Sequence, residues 1–216
     1  MRKKIILPAF FVFSASMVFA HEHWVLVDYP SSDGGNAARV QICSGHSFPK
    51  SEILLAERLL ADMEASGPDG KTKFFKPTAM DKSWMANISL DNPGVWVVSF
   101  ALKKPQATEP LYLGRTLVVV GAKDDPSRYA CRKGLELVPA MPLSALKTGD
   151  ILPLSVTMDG APMEGTIAVT PDKGSACFLS TSKERQAELK IKGPGNYLLT
   201  VSSGGKTFSL TFKVTK

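Results

Sequence analysis

Short apolar segments rich in β-branched residues recur along this chain, and turn sequences separate them. The turns include DNPG at 91–94 and GPGN at 193–196, whose residues favour tight reversals of the backbone. Segments spaced by about 8–12 residues with such turns between them are typical of β-sandwiches. The strand-like segments are 24–28, 38–43, 84–90, 95–102, 115–121, 135–138, 151–158, 166–170, 187–191, 197–202 and 207–214. The sequence therefore predicts an all-β protein with two tandem immunoglobulin-like β-sandwich domains after a cleaved signal peptide.

A polar stretch that begins KDDPS divides the chain, and we interpret residues 123–134 as a linker. The predicted organisation is a signal peptide at 1–20, an N-terminal β-sandwich with a metal site at 21–122, and a C-terminal β-sandwich at 135–216. Only residues 51–63 have helical character, because their apolar side chains follow an approximate 3.6-residue period. An irregular or strand-like conformation explains the same pattern, so both alternatives stay open.

The first twenty residues have the three parts of a secretory signal peptide. Three cations at 2–4 precede an uncharged stretch at 5–20, and Val18 and Ala20 occupy the small-residue positions before the expected cut. An uncleaved membrane anchor is the alternative, but about 16 residues are short for a span of roughly 20. No cysteine follows the cut, so a lipid anchor is not indicated. We expect a periplasmic protein with no stable membrane insertion after cleavage.

The charge of the chain argues against a nucleic-acid partner. The formal net charge is +6, and removal of the three leader cations lowers it to +3. The remaining charges are dispersed, whereas nucleic-acid binding segments concentrate cations in blocks or patches. We expect no nucleic acid among the partners.

Cleavage after Ala20 creates a chain end that reads HEHW. That end carries a free α-amine, with imidazoles at the first and third positions. Nitrogen donors of this kind suit borderline divalent metals such as Ni(II), Co(II) or Cu(II). The only other histidine lies at position 46, so all three fall within residues 21–46. We therefore predict a metal site formed by His21, His23 and His46.

Two arrangements of the ligands are compatible with the sequence. In the first, the α-amine, backbone amide nitrogens and the His23 imidazole close around the metal as fused chelate rings, which suits square-planar Cu(II) or Ni(II). In the second, the amine and side chain of His21 hold the metal, and His23 or His46 completes the shell. If Trp24 starts a strand, His21 and His23 share one side of it and Glu22 points the other way. Solvated terminal histidines without a metal are the alternative to both.

The chain has three cysteines, and export permits disulfides. Cys43 stands three residues before His46, so it is a soft ligand, a buried small side chain or half of a bridge. We favour a bridge between Cys131 and Cys177, because both lie in the second half of the chain. The sequence alone does not fix the pairing.

Motifs of the common enzyme classes are missing from the sequence. It has no G-x-S-x-G elbow, P-loop, G-x-G-x-x-G, H-E-x-x-H or C-x-x-C motif. We therefore expect a binding protein and no enzyme. A periplasmic copper carrier is one alternative. A copper oxygenase with a histidine brace is a less favoured one, since it also begins with histidine.

Several short motifs extend over most of the chain that follows the leader. They are HEHWVL at 21–26, GHSFP at 45–49, LELVP at 135–139, LKTGD at 146–150 and DGAPMEG at 159–165. Together they resemble a family of periplasmic accessory proteins of bacterial nickel and cobalt uptake systems, long described as a domain of unknown function. The last three are similar to the opening of that family's second β domain.

This resemblance implies a metal-binding protein of the periplasm that serves a membrane transporter. By the resemblance, His21, His23 and His46 are the ligands of Ni(II) or Co(II), with Cu(II) as an alternative. The implied partners are the metal ion and inner-membrane components of a nickel/cobalt transporter. Cys43 departs from the family pattern. The expected function is capture of the metal through the mature N-terminal histidine and transfer to the transporter.

Overall fold

The computed structural model describes residues 21–28, 37–103, 110–121 and 123–216, so the predicted signal peptide at 1–20 lies outside the described residues. This part of the chain has sixteen strands and no α-helix. The strands are β1 (Glu22–Asp28), β2 (Ala37–Gly45), β3 (Met63–Ser66), β4 (Thr72–Phe75), β5 (Thr78–Met80), β6 (Ser83–Ser89), β7 (Gly94–Leu102), β8 (Tyr112–Val120), β9 (Leu135–Pro139), β10 (Ile151–Met158), β11 (Ala161–Pro162), β12 (Gly165–Pro171), β13 (Cys177–Thr181), β14 (Ala187–Lys190), β15 (Gly195–Ser203) and β16 (Lys206–Val214). None of the described helical turns is long and apolar enough to cross a membrane. The all-β prediction is confirmed.

One eight-stranded sheet runs through both halves of the molecule. Its strand order is β13-β12-β15-β16-β8-β7-β3-β4. Neighbouring strands are antiparallel except at the centre, where β16 and β8 pair in parallel between residues 207–211 and 112–116. The predicted sandwiches are present, and they share this sheet, which the sequence did not indicate.

Two smaller sheets cover opposite faces of the shared sheet. The N-terminal sheet has the order β1-β2-β6-β5, and in the C-terminal sheet β10 pairs with β9, β11 and β14. Consecutive residues of β15 show the two faces, because successive side chains of a strand point in opposite directions. Leu198 packs with Trp24 and Cys43 of the N-terminal sheet, whereas Leu199 belongs to the core beneath the C-terminal sheet.

Each small sheet encloses its own apolar core against the shared sheet. Trp96 and Phe100 are among the largest buried side chains on the N-terminal side, and Leu152 and Phe208 on the C-terminal side. Complete burial of one such side chain stabilises the fold by about 1.5–3 kcal/mol. The two cores fix the shared sheet between them and hold β1 at a defined place over its centre.

A buried ion pair joins the shared sheet to the C-terminal sheet. Arg115 Nη1 of β8 and Glu136 Oε1 of β9 lie 2.7 Å apart, and the side chains are only 4% and 0% exposed. The Glu136 carboxylate also accepts hydrogen bonds from the backbone amides of Cys131 and Arg132. The pair therefore links the N-terminal and C-terminal halves of the molecule. The linker bounds of 123–134 remain a prediction.

The structure gives the state of the three cysteines and the conformation of residues 51–63. All three cysteines are free, so the favoured Cys131–Cys177 bridge is wrong. Cys131 precedes β9, whereas Cys177 begins β13 at the end of the shared sheet, so the two thiols belong to different layers. Residues 51–63 form no α-helix; they contain a 3-10 turn at Glu57–Leu59 and lead into β3.

Candidate metal site

The pairing of β1 with β2 brings His21 beside His46. Glu22 lies opposite Gly45 in this antiparallel pair, so the next step along both strands places the two histidines across from each other. Their ring centroids are 4.6 Å apart and the ring planes are inclined by 34°. Both side chains are exposed. Two of the three predicted ligands thus meet at the open end of the N-terminal sheet.

His23 has a different environment from the other two histidines. Its ring is half-buried, shares a hydrogen bond of 2.9 Å between Nδ1 and Ser44 Oγ, and meets the Tyr112 ring edge-on with centroids 4.8 Å apart. Burial lowers the pKa of His23 to about 4, with a smaller contribution from positive charge at His21. The imidazole is therefore neutral near neutral pH, but one nitrogen is already engaged.

Hydroxyl groups of the shared sheet hold the backbone of β1. The carbonyl oxygen of His23 accepts hydrogen bonds from Tyr112 Oη at 2.6 Å and from Ser209 Oγ at 2.8 Å. The amide of His23 donates to Tyr112 Oη at 3.2 Å, and the carbonyl of Val25 accepts a hydrogen bond from the Thr211 hydroxyl. These hydrogen bonds satisfy backbone groups on the outer edge of β1 that do not pair with β2.

The loop that carries His46 is fastened by Glu52. Glu52 Oε2 accepts the backbone amide of His46 at 2.7 Å, and Oε1 accepts the hydroxyl of Ser47 at 2.5 Å. These two hydrogen bonds hold the pKa of Glu52 below its usual range. Gly45 has a φ of 152°, and a Cβ there would lie 2.7 Å from Glu52 Oε2. Glycine is thus required where the carboxylate approaches the loop.

Residues after the loop close it back onto β2. The backbone amides of Glu52 and Ile53 both donate to the carbonyl of Ser44, at 2.8 and 3.1 Å. Ser51 Oγ accepts the Ser44 amide at 3.0 Å and donates to the carbonyl of Lys82 at 2.6 Å. Ser44 therefore organises two histidines, because its hydroxyl contacts the His23 ring and its backbone anchors the return of the His46 loop.

Glu22 lies between His21 and His23 in sequence, on the alternate face of β1. Its side chain is half-buried, and burial raises the pKa of its carboxyl group. Positive charge at His46 acts in the opposite direction. The Glu22 carboxyl is therefore close enough to His46 for that residue to affect its pKa. Its side chain points away from the face of β1 that carries His21 and His23.

Cys43 is placed away from the histidines. It lies opposite Trp24 in the β1–β2 pair, and both pack with Phe48 and Leu198. The residue is 1% exposed, and burial raises the pKa of its thiol to about 12. Its packing with Trp24, Phe48 and Leu198 is that of a small buried side chain, which is one of the roles that the sequence left open.

The side chains alone supply an incomplete shell. Among the residues that the structure describes, no group of three or more histidine, cysteine, aspartate or glutamate side chains is arranged to hold a metal. The His21–His46 pair offers two imidazoles, and a third donor of the expected type is the α-amine that cleavage before His21 would release. Fused chelate rings ending at His23 would require its backbone nitrogen to leave Tyr112. The geometry favours the second arrangement, with His21 and His46.

Comparison with known proteins gives the family of the chain. A family model described as "Domain of unknown function (DUF4198)" matches residues 18–205. The chain belongs to the DUF4198 family. The match covers the candidate site and strands β1 to β15, in agreement with the expected domain-of-unknown-function family. No curated protein matches the chain.

Three solved structures that are similar to this DUF4198 chain are 11–14% identical to it. A tetra-tandem repeat of a large adhesion protein is 12% identical, with 91% of this chain and 49% of that chain covered and a TM-score of 0.35. The chain thus spans about half of that structure. A two-domain fibronectin type III segment of chicken tenascin is 11% identical, with coverages of 89% and 97% and a TM-score of 0.29. The D0-D1 domain of intimin is 14% identical, with coverages of 91% and 100% and a TM-score of 0.28.

Sequence reasoning missed the residues that support the histidines. Glu52 follows His46 by six positions and belongs to no recognisable motif. Ser44 gives a weak signal, since the register of β1 and β2 places it beside His23. Tyr112 and Ser209 are distant in sequence, and only the parallel pairing of β8 with β16 brings them together under β1.

Proposed function

We propose that this DUF4198 protein is a periplasmic metal-binding protein that captures Ni(II) or Co(II) and delivers it to an inner-membrane nickel/cobalt transporter. The ligands are the α-amine and imidazole of His21, released by cleavage of the signal peptide, and the imidazole of His46. The observation that carries the proposal is the contact between these two rings, 4.6 Å apart at an exposed edge.

The chemistry of the donors supports a transition metal. First-row divalent ions bind imidazole nitrogen at roughly 2.0–2.1 Å, so two imidazoles on one ion have donor atoms about 4 Å apart or less. The ring centroids of His21 and His46 lie 4.6 Å apart, a separation compatible with this limit. Amine and imidazole nitrogens favour nickel, cobalt, copper and zinc over magnesium or calcium, which prefer oxygen.

Exposure of the pair suits a carrier. His21 and His46 lie at the surface, so a bound ion has a short route to solvent or to a docked partner. The ligands must be deprotonated, and affinity therefore falls with acidification. His23 lies beside the pair, and because its Nδ1 shares a hydrogen bond with Ser44 Oγ, its Nε2 is the ring nitrogen that could join the shell.

A copper carrier is the second candidate. An all-nitrogen shell binds Cu(II) more tightly than Ni(II) or Co(II) at equal availability, and the buried Cys43 offers no thiolate that would select Cu(I). Raw affinity therefore does not identify the physiological metal. Metal content of the protein purified from the periplasm of cells grown with all three metals at trace levels distinguishes the two candidates.

The proposal is tested by titrating Ni(II) into the mature protein that begins at His21. We expect His46→Ala to weaken binding by about tenfold or more, because it removes one of three donors. His23→Ala retains binding, and Lys50→Ala, an exposed change in the same loop, serves as the control. Delivery is tested by nickel uptake of cells that carry the transporter with wild-type or His46→Ala protein. Undiminished binding and uptake with His46→Ala would contradict the proposal.

A further inference from the structure

The carboxylate of Glu52 is hydrogen-bonded to the loop that carries His46. Glu52 uses both oxygens: Oε2 accepts the His46 amide at 2.7 Å and Oε1 accepts the Ser47 hydroxyl at 2.5 Å. The backbone of the same residue is fixed, because its amide donates to the carbonyl of Ser44 at 2.8 Å. Glu52 thus connects the tip of the loop to the end of β2.

Gly45 shows that this contact is built into the backbone. A Cβ at Gly45 would lie 2.7 Å from Glu52 Oε2 and 2.9 Å from Glu52 Cβ, so any larger residue would displace the carboxylate. The φ of 152° at Gly45 turns the chain out of β2 and directs His46 towards His21. The turn, the carboxylate and the imidazole therefore form one unit.

We propose that Glu52 is a positioning residue that holds the His46 imidazole beside His21 and so sets the metal affinity of the site. The inference rests on the proposed function. Glu52 acts through the backbone amide of His46 and the hydroxyl of Ser47, and each of its two oxygens accepts one of these hydrogen bonds. Neighbours that position the ligands typically change metal affinity by about 10–100-fold when they are removed.

The first experiment examines the metal-free mature protein by NMR. We expect nuclear Overhauser effects between the His21 and His46 rings in the wild type, weakened in Glu52→Gln, which keeps the size but loses the negative acceptor. The matched control is Glu57→Gln, an exposed glutamate of the 3-10 turn whose side chain makes no hydrogen bond within the described part of the chain. Unchanged ring contacts in Glu52→Gln would overturn the positioning role, whether or not the protein binds metal.

The second experiment is a double-mutant cycle read by Ni(II) titration. Glu52→Gln is expected to weaken Ni(II) binding by about tenfold. In the His46→Ala background the same change is expected to have no further effect, because the group that Glu52 positions is gone. An equal loss in both backgrounds would overturn the inference and indicate long-range attraction between the carboxylate and the cation.

Two controls separate the possible failures. Glu52→Asp, which can restore one of the two hydrogen bonds, should recover part of the Ni(II) affinity. The thermal unfolding midpoints of Glu52→Gln and Glu52→Asp should match that of the wild type within a few degrees. If wild-type protein shows the ring contacts but binds no Ni(II), Co(II) or Cu(II), the proposed function fails while the positioning of His46 stands. If it binds Ni(II) and Glu52→Gln binds equally well, the function stands and the role of Glu52 in affinity fails.

Discussion

The hydroxyl of Tyr112 donates to the carbonyl of His23 at 2.6 Å and accepts the amide of the same residue at 3.2 Å. One side chain of β8 therefore satisfies both backbone groups of a β1 residue. Since His21 is two residues away, this contact fixes where the start of the mature chain would lie. The candidate site is thus positioned by the shared sheet and not only by the N-terminal sheet that carries it.

Removal of the Tyr112 hydroxyl should loosen β1. We expect Tyr112→Phe to lower the free energy of unfolding by about 1 kcal/mol, because the His23 amide loses its partner while its carbonyl keeps Ser209. Urea denaturation measures the loss, and hydrogen exchange should quicken in β1. Tyr197→Phe is the control, since its hydroxyl bonds to Gly193 in the C-terminal half. Equal exchange of β1 in both variants would contradict the role of Tyr112.

The low pKa of His23 makes stability depend on pH. Its folded pKa of about 4 lies below the usual histidine value of 6.5, so the unfolded chain binds a proton first as pH falls. Stability from this group is therefore complete above about pH 6.5 and is lost towards pH 4, with about 2 kcal/mol gone at pH 5. Urea denaturation of wild type and His23→Gln at both ends of this range isolates the effect. A parallel pH dependence of the two proteins would contradict it.

Disruption of the buried ion pair should be far more costly than disruption of an exposed one. Glu136→Gln leaves Arg115 charged and buried, which typically costs about 3–5 kcal/mol. Asp91→Asn removes the exposed pair with Lys73, 2.6 Å apart, and should cost much less, because solvent screens both side chains. Denaturant unfolding compares them. The double variant Arg115→Met/Glu136→Gln should recover part of the loss, and failure to recover any would count against an uncompensated charge as the cause.

The shared sheet predicts that both halves unfold together. The parallel pairing of β8 with β16 and the Arg115–Glu136 pair cross the boundary between the predicted domains. Each half therefore loses these boundary-crossing interactions when the other unfolds. We expect one transition in differential scanning calorimetry, with equal calorimetric and van't Hoff enthalpies. Two separated transitions would show that the halves are independent.

Local sequence patterns were sufficient to predict most of the strands. Alternation of apolar and polar residues, together with glycine and proline turns, predicted the long strands to within a few residues, including β10 and β16. The proximity of His21 to His46 was also accessible, because strand periodicity places His21 and His23 on one side and a glycine precedes His46. The short edge strands β4, β5 and β13 were missed, since three to five residues carry little periodicity.

Long-range features could not be predicted from a single sequence. The pairing of β8 with β16 joins residues about 95 positions apart, as in the hydrogen bond from Thr116 to Thr211. Glu52 was hidden for a different reason: the apolar spacing of 51–63 was equally consistent with a helix. The disulfide prediction failed because position in the same half of a chain says little about distance when the half contains two layers.

The central claim is that a free His21 amine completes the site. Calorimetric titration of Ni(II), Co(II) and Cu(II) into protein beginning at His21, beside the same protein with one alanine added in front, tests it directly. The account predicts one-to-one binding of Ni(II) or Co(II) to the first protein and a loss of about tenfold or more in the second, whose His21 nitrogen is an amide. Equal binding by both proteins would contradict the claim.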